Sequence, residues 1–257
     1  MALNGDGGDE AFSGYERYAR ALAWERRARW LAPVRPLLGI AQHVTRIGDG
    51  ALDRRYAWLM RIFSDRERAA LLSADAQAQL SGSPLARIGA WMNEPEAGRE
   101  GLDRLAFADL RGALPEALLA KVDIASMAHG LEARSPLLDV RVVELAASAP
   151  AAVRCPGGAL KALLKEAFSD LLPPRILARP KHGFAPPLQE WFRGPLLPLA
   201  RDLLLGSGAR VHAYLRPDAL ARVIDDHVHE RASRGFQLWS LVLLELWHRS
   251  VVDPATG

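Results

Sequence analysis

A single cysteine, Cys155, occurs in the 257 residues, which excludes an intrachain disulfide and any cysteine-rich zinc site and agrees with a reducing compartment. No charge-free apolar run reaches the roughly 18 residues that a membrane span needs. The opening stretch, with acids at Asp6, Asp9 and Glu10, lacks the basic-then-apolar order of a signal peptide. A cytoplasmic protein with no membrane partner is therefore expected. Charge of one sign is also in short supply: the net charge is only +3 and acids are interspersed with the arginines, so no nucleic-acid partner is expected. The seven histidines form no metal pattern, since His227 and His229, two apart on a helix, point to different faces. Internal repeats and low-complexity tracts are absent. Long alternating runs are missing as well, and only "MAL" at Met1–Leu3 has the form of a strand stub. What remains, 49% hydrophobic and 25% charged residues, is the composition of a soluble globular chain, enough for one large domain or two small ones.

The dominant period is 3.6 residues, and a mainly α fold is expected. From Tyr15 the apolar positions Tyr18, Leu22 and Leu31 recur at helical spacing, with Glu16 to Arg20 and Glu25 to Arg29 as acid-then-base pairs, until Pro33 and Pro36 end the helix. Arg54–Phe63 is a second helical segment, and Ser64 with Glu67 forms a capping box for a third through Leu72. "SGSPLARIG" and "NEPEAGREG" read as loops. A helical pattern over Leu102–His129 is interrupted at "GALP", and Ser135 before Pro136 is forced into extended backbone. Leu138–Ala149 and Leu160–Leu171 are amphipathic helices joined by the turn "CPGG". Arg216, Pro217 and Asp218 mark another helix start, and "FQLWSLVLLELWHRSVV" reads as a core helix. The seven tryptophans sit mainly at helical apolar positions, which predicts core packing.

Chemistry concentrates in "NGDGGDEAFSGYERY", Asn4–Tyr18. Gly5, Gly7 and Gly8 allow backbone N–H groups to turn towards an anion, and Asp6, Asp9 and Glu10 offer hard oxygen ligands for Mg²⁺. The same residues also suit a glycine-rich turn whose acids complement a helix dipole. Neither a Walker phosphate loop nor an EF-hand spacing is present. Two later stretches carry further candidates. "KVDIASMAHGLEARSPLLD" holds Glu132 and Arg134, and "LARPKHGFAPPLQEWF" sets Lys181 in a loop between prolines.

In this order, those stretches together with "LKALLKEAFSDLLPP" and "FQLWSLVLLELWHR" resemble successive blocks of the asparagine synthetase family, in its C-terminal synthetase domain. The resemblance runs from Leu3 to about Arg249 and is loose between Pro33 and Gly101. It implies the helical C-terminal portion of an adenine-nucleotide α-hydrolase-like α/β synthetase domain, with most of the parallel sheet missing, over residues 1–257. It also implies ATP-dependent amide formation. The aspartate side-chain carboxylate attacks the α-phosphorus of ATP, and ammonia from glutamine displaces AMP to give asparagine. Asp9 matches the position that helps hold Mg²⁺. Asp6 matches a position that is acidic in asparagine-forming members and tyrosine in β-lactam-forming ones. Lys181 matches the lysine that stabilises charge at phosphorus and at the tetrahedral carbon. Glu132 is the candidate second acid, which Arg134 braces. Gly5, Gly7, Gly8 and Lys161 are the expected nucleotide-side contacts, while Lys161 and Glu10 either approach the phosphates or support Asp9.

The family's S-G-G-x-D-S pyrophosphate loop occurs nowhere in the sequence, and Met1 is followed by Ala2 rather than by the cysteine nucleophile of a glutaminase domain. The expectation is an N-terminally truncated synthetase region without a glutaminase domain, inactive by itself. The open edge where absent strands would pack is an association liability, so a homodimer is among the expected partners. Two alternatives stand beside this reading: a related ligase of the β-lactam synthetase or lasso-peptide cyclase type, and an inactive helical interaction module.

Overall fold

Helices make up nearly all of the regular structure, as the 3.6-residue period predicts. The computed structural model describes residues 1–31, 52–80, 82–83, 85–98, 100–179, 183 and 186–253. The chain expected as one region divides into two units: Met1–Met60 with Pro84–Pro180, and Arg61–Ser83 with Lys181–Gly257.

In the first unit the helix Glu16–Leu31 starts where the acid-then-base pattern begins, and Glu16 and Arg20 meet at 3.4 Å across one turn on a solvated face. Pro33 and Pro36, expected to end it, lie outside the described residues. Its buried Tyr18 and Ala21 pack with Leu52 and Tyr56 of the helix Leu52–Met60, with Met92, and with Leu102, Leu105 and Ala108 of the helix Gly101–Arg111. Met92 belongs to a helix, Leu85–Met92, that replaces the second half of the loop expected at "SGSPLARIG". Ile88, Trp91 and Met92 share one face and pack into the core cluster. Burial of that face outweighs the weak helix propensity of Gly89. At "GALP" the interruption is a widening: the helix stops at Gly112, and Leu114–Leu119 is π-helical before the helix Ala120–Met127. Pro115 has no N–H to give to a regular ladder.

The strand stub is real. β1, Ala2–Leu3, pairs in parallel with β2, Ala133–Arg134, with the Ala2 N–H on the Glu132 carbonyl at 2.8 Å and the Asn4 N–H on the Arg134 carbonyl at 2.9 Å. The extended backbone ahead of Pro136 thus becomes the partner of the first strand. A second apolar cluster fastens the loop that follows β1: buried Ala11, Phe12 and Ala146 pack with Leu137, Val142, Leu163 and Leu164. Ala146 and Val142 lie on the helix Val140–Ser148, which Asp139 caps by accepting from the Arg141 N–H at 3.0 Å.

The second unit is built on the helices Leu188–Arg193, Leu197–Leu205, Pro217–Val228 and Gly235–Trp247, whose Phe192, Leu204, Leu220, Ile224 and Leu238 form the buried centre. The last helix is only half a core helix. Leu238, Leu241, Val242 and Glu245 are buried, while Phe236, Trp239, Leu243, Leu246 and Trp247 are exposed. The tryptophans depart from expectation in the same way: Trp30, Trp58, Trp191, Trp239 and Trp247 are exposed, and Trp24 and Trp91 are only half-buried. Helical spacing identifies a face but not whether anything covers it.

The capping box opens the helix Asp65–Leu71 as expected. Ser64 donates through its N–H and its hydroxyl to Glu67 Oε2 at 2.8 and 2.7 Å, and the Glu67 N–H returns to Ser64 Oγ at 3.3 Å. Burial alone would raise the Glu67 pKa, but the Ser64 bonds and the Arg234 guanidinium outweigh it and bring the carboxyl from 4.5 to about 2. A folded-state pKa below the unfolded one contributes stability above pH 4.5 that is lost as the pH falls towards 2. Ser64→Ala is expected to destabilise this unit by about 1 kcal/mol at neutral pH. The gap between parent and variant should narrow in urea titrations run below pH 4.5, because the unfolded parent then takes up a proton at Glu67 that its folded form resists.

Candidate functional site

Strand pairing brings the first motif beside the second. Asn4, at the end of β1, accepts the Ser135 hydroxyl at 2.6 Å and the Asp6 N–H at 3.2 Å on Oδ1, and donates from Nδ2 to Asp6 Oδ2 at 2.9 Å. One amide side chain therefore holds Asp6 and ties its loop to the strand end at Ser135. Gly5 has open space beside its Cα. The next two glycines have packing reasons. Gly7 has φ +84°, and a Cβ there would sit 2.0 Å from Leu138 Cδ2; a Cβ on Gly8 would sit 2.7 Å from Leu137 Cδ1. The turn Pro136–Leu138 thus presses directly on the acidic loop.

Asp9 meets Lys161, with Oδ1 and Nζ at 3.1 Å, both side chains about a quarter exposed (21% and 27%). Of the two roles open for Lys161, this contact is the one that supports Asp9. Lys161 is held in the left-handed region, φ 54°, at the start of the helix Ala162–Ala167. Ser13, fully buried, is left-handed too, with φ 58°. Gly14 closes the pair from the other side: its N–H donates to the Asp9 carbonyl at 2.7 Å, and a Cβ there would lie 1.9 Å from Asp9 Oδ1 and 2.3 Å from Lys161 Cε. Two non-glycine residues in a strained backbone region around one ion pair mark a place where local geometry has been over-determined.

Glu10 does not face outward. It is 1% exposed and accepts the Tyr15 hydroxyl at 2.7 Å. Burial raises its pKa above the usual carboxylate value, although the Tyr15 bond works the other way. Beneath it lies a network that the sequence reading missed. Asp109, 2% exposed, accepts from Arg17 at 2.5 Å and from the Tyr18 hydroxyl at 2.6 Å; Arg17 also donates to the Tyr56 hydroxyl at 2.8 Å and lies 3.4 Å from the centre of the Tyr15 ring. A signal existed: Leu102, Leu105, Ala106 and Asp109 follow the i, i+3, i+4, i+7 rule, which places an acid on the apolar face of its helix. A cleft of about 150 Å³ opens between Glu10, Asp103, Phe107, Val143, Ala147 and Arg154.

Glu132 lies one residue before β2, and its side chain is exposed and paired with Arg134 at 2.8 Å, the bracing expected of that arginine. Lys181 lies outside the described residues. The structure therefore joins Asp9 to Lys161, and Asp6 to Asn4 and Ser135, whereas the Glu132 carboxylate is engaged with its own strand. His227, buried and bonded to the Gln189 carbonyl and the Arg234 N–H, has a structural role. Among the described residues no three His, Cys, Asp or Glu side chains converge as a metal cage. One carboxylate completed by water and phosphate oxygens is a common Mg²⁺ shell, and Asp9 is a described side chain that could supply that carboxylate. No described helix is long and apolar enough to cross a membrane.

Residues 1–249 match the family profile described as Asparagine synthase. The chain belongs to the asparagine synthase family. Among relatives in this family, asparagine synthetase [glutamine-hydrolyzing] 1 of Bacillus subtilis is 25% identical over 96% of the chain. A putative asparagine synthetase [glutamine-hydrolyzing] of Mycobacterium bovis is 28% identical over 98%. The asparagine synthetase [glutamine-hydrolyzing] of Gallus gallus is 33% identical over 46% of the chain. The chain spans 40% of the length of the two bacterial relatives. No solved structure matches it.

Proposed function

We propose that these residues form one wall of an ATP-dependent amide-forming site of the asparagine synthetase type, in which the aspartate side-chain carboxylate is adenylated and ammonia from glutamine then gives asparagine, AMP and pyrophosphate. The observation that carries the reading is the Asp9–Lys161 pair, set within the motif where the family resemblance places metal and phosphate contacts. Asp9 holds Mg²⁺, which neutralises charge on the departing pyrophosphate. Lys161 supplies a cation beside the phosphates, and Lys181 stabilises charge at phosphorus and at the tetrahedral carbon. Asp6, oriented by Asn4, faces the reacting carboxylate. Glu132, paired with Arg134, is the second acid, which accepts a proton from the attacking ammonia. β1 and β2 are read as part of an adenine-nucleotide α-hydrolase-like parallel sheet, and residues 1–257 as a partial synthetase domain.

The sequence contains no S-G-G-x-D-S loop, so the 257 residues alone are expected to give no ATP–pyrophosphate exchange with aspartate and Mg²⁺. Joined to a family segment that carries the loop, on the same or a second polypeptide, they should give aspartate-dependent exchange that Asp9→Asn removes. Exchange by the chain alone defeats the requirement for the loop. Exchange indifferent to Asp9→Asn defeats the site assignment. The exposed tryptophans favour a second reading, a helical interaction module, under which no combination shows exchange.

A further inference from the structure

Asp9 is asked to do two things that compete. As a metal ligand it must present a carboxylate oxygen to a divalent cation, yet Asp9 Oδ1 lies 3.1 Å from the Lys161 ammonium. The contact is built rather than incidental. Lys161 takes a left-handed backbone, φ 54° and ψ 31°, which lysine adopts only against a steric penalty. Its Nζ would lie 3.7 Å from a Cβ on Gly8 and its Cε 2.3 Å from a Cβ on Gly14, so the side chain is threaded between two glycines of the acidic loop. A side chain at Gly14 would meet Asp9 Oδ1 and Lys161 Cε together. The loop is thus shaped to admit the lysine.

We infer that Lys161 is a resident cation on Asp9 that must be drawn off before a divalent cation binds there, so that the metal enters together with a phosphate able to take over the lysine. The inference rests on the reading of Asp9 as a metal ligand. Two cations on one carboxylate oxygen repel, and a phosphate group supplies the anion to which the ammonium can move. Coupling of this kind is reciprocal: whatever phosphate contributes to metal binding, metal contributes to phosphate binding. Lys161 then acts as a specificity-determining residue that favours a metal–phosphate complex over the free ion.

The test is Mn²⁺ binding to the full chain without nucleotide, followed by the electron paramagnetic resonance signal of the free ion, for the parent, Lys161→Met, Lys161→Arg and Asp9→Asn, the last both alone and added to Lys161→Met. Lys161→Met is expected to tighten Mn²⁺ binding by about fivefold or more, the lower end of typical coupling between sites. Lys161→Arg, which keeps the charge, should stay near the parent, and adding Asp9→Asn to Lys161→Met should abolish the added affinity. Equal affinity in the parent and Lys161→Met, both lost with Asp9→Asn, overturns the competition while leaving Asp9 a ligand. Equal tightening by methionine and arginine also overturns it, since relief of packing would then be the cause. Equal affinity or tightening in Lys161→Met that the addition of Asp9→Asn leaves unaffected, or no binding in any form, overturns both the competition and the assignment of Asp9.

Discussion

Replacing Asp109 with alanine is expected to destabilise the first unit by about 3 kcal/mol, the lower end for stranding one member of a buried ion pair, since the Arg17 side chain is a quarter exposed. Asp109 is 2% exposed and receives two hydrogen bonds, from Arg17 and from the Tyr18 hydroxyl. Burial opposes the charge on Arg17, but Tyr56 and Asp109 around it more than compensate, and its pKa lies above the ordinary arginine value. Burial likewise raises the Tyr18 pKa, with Asp109 adding to the effect. Without the carboxylate, the guanidinium keeps its desolvation penalty and loses its counter-charge, and the Tyr18 hydroxyl is left inside the core cluster without its acceptor. Hydrogen exchange along Glu16–Leu31 and Gly101–Arg111 checks this directly, with protection expected to fall in both helices together. Tyr18→Phe should cost only about 1 kcal/mol, because one neutral donor is removed while the ion pair survives. A double variant, Asp109→Ala with Arg17→Met, should recover part of the loss, since no buried charge is then unpaired. If the double variant is as unstable as the sum of its parts, the pair is not the source of the effect.

That network also shows where reading the sequence stops. Elements whose signals are local were legible: the Ser64–Glu67 box, Pro217 at a helix start, and the acid-then-base spacing from Glu16 each depend on residues within one turn. The helix at Leu85–Met92 was not, because its loop-like composition is overridden by Ile88 and Met92 packing against residues far away in sequence. For the site, residue types marked Asp9 and Lys161, but their meeting requires the Ala11–Phe12–Ala146 cluster to bring two distant segments together. The roles of Gly7 and Gly8 changed most. Their neighbours Leu138 and Leu137 lie on the second motif, so these glycines serve the joint between motifs as well as the loop. The tryptophans failed in the opposite direction, since apolar spacing predicts a face and exposure depends on what that face meets.

In the second unit, Glu245→Ala should lower stability by about 3 kcal/mol, because each buried polar group left without its partner costs about 1–3 kcal/mol. The Glu245 side chain is fully buried. Its Oε2 accepts the Val211 N–H at 2.9 Å, and its Oε1 accepts the Arg210 N–H at 3.1 Å and the Arg249 side chain at 2.6 Å. It therefore satisfies the first donors of the short helical turn Arg210–Ala213. Val211 itself is wholly buried, so water cannot replace the lost acceptor without opening the core. Burial by itself would raise the Glu245 pKa, yet the Val211, Arg249 and Arg210 contacts overcome that and lower it below 4.5. The sign follows: this stability is present above pH 4.5 and declines as the pH falls through the lower folded-state value. Exchange of the Arg210 and Val211 amide hydrogens is the sharpest measurement. Near neutral pH it should accelerate by about a hundredfold in Glu245→Ala, the equivalent of roughly 3 kcal/mol. Glu245→Gln, which keeps one accepting oxygen, should fall between parent and alanine. A parent whose protection at these amides does not weaken on acidification would refute the role of the ionised carboxylate, and unchanged amide protection in Glu245→Ala would remove the capping role altogether.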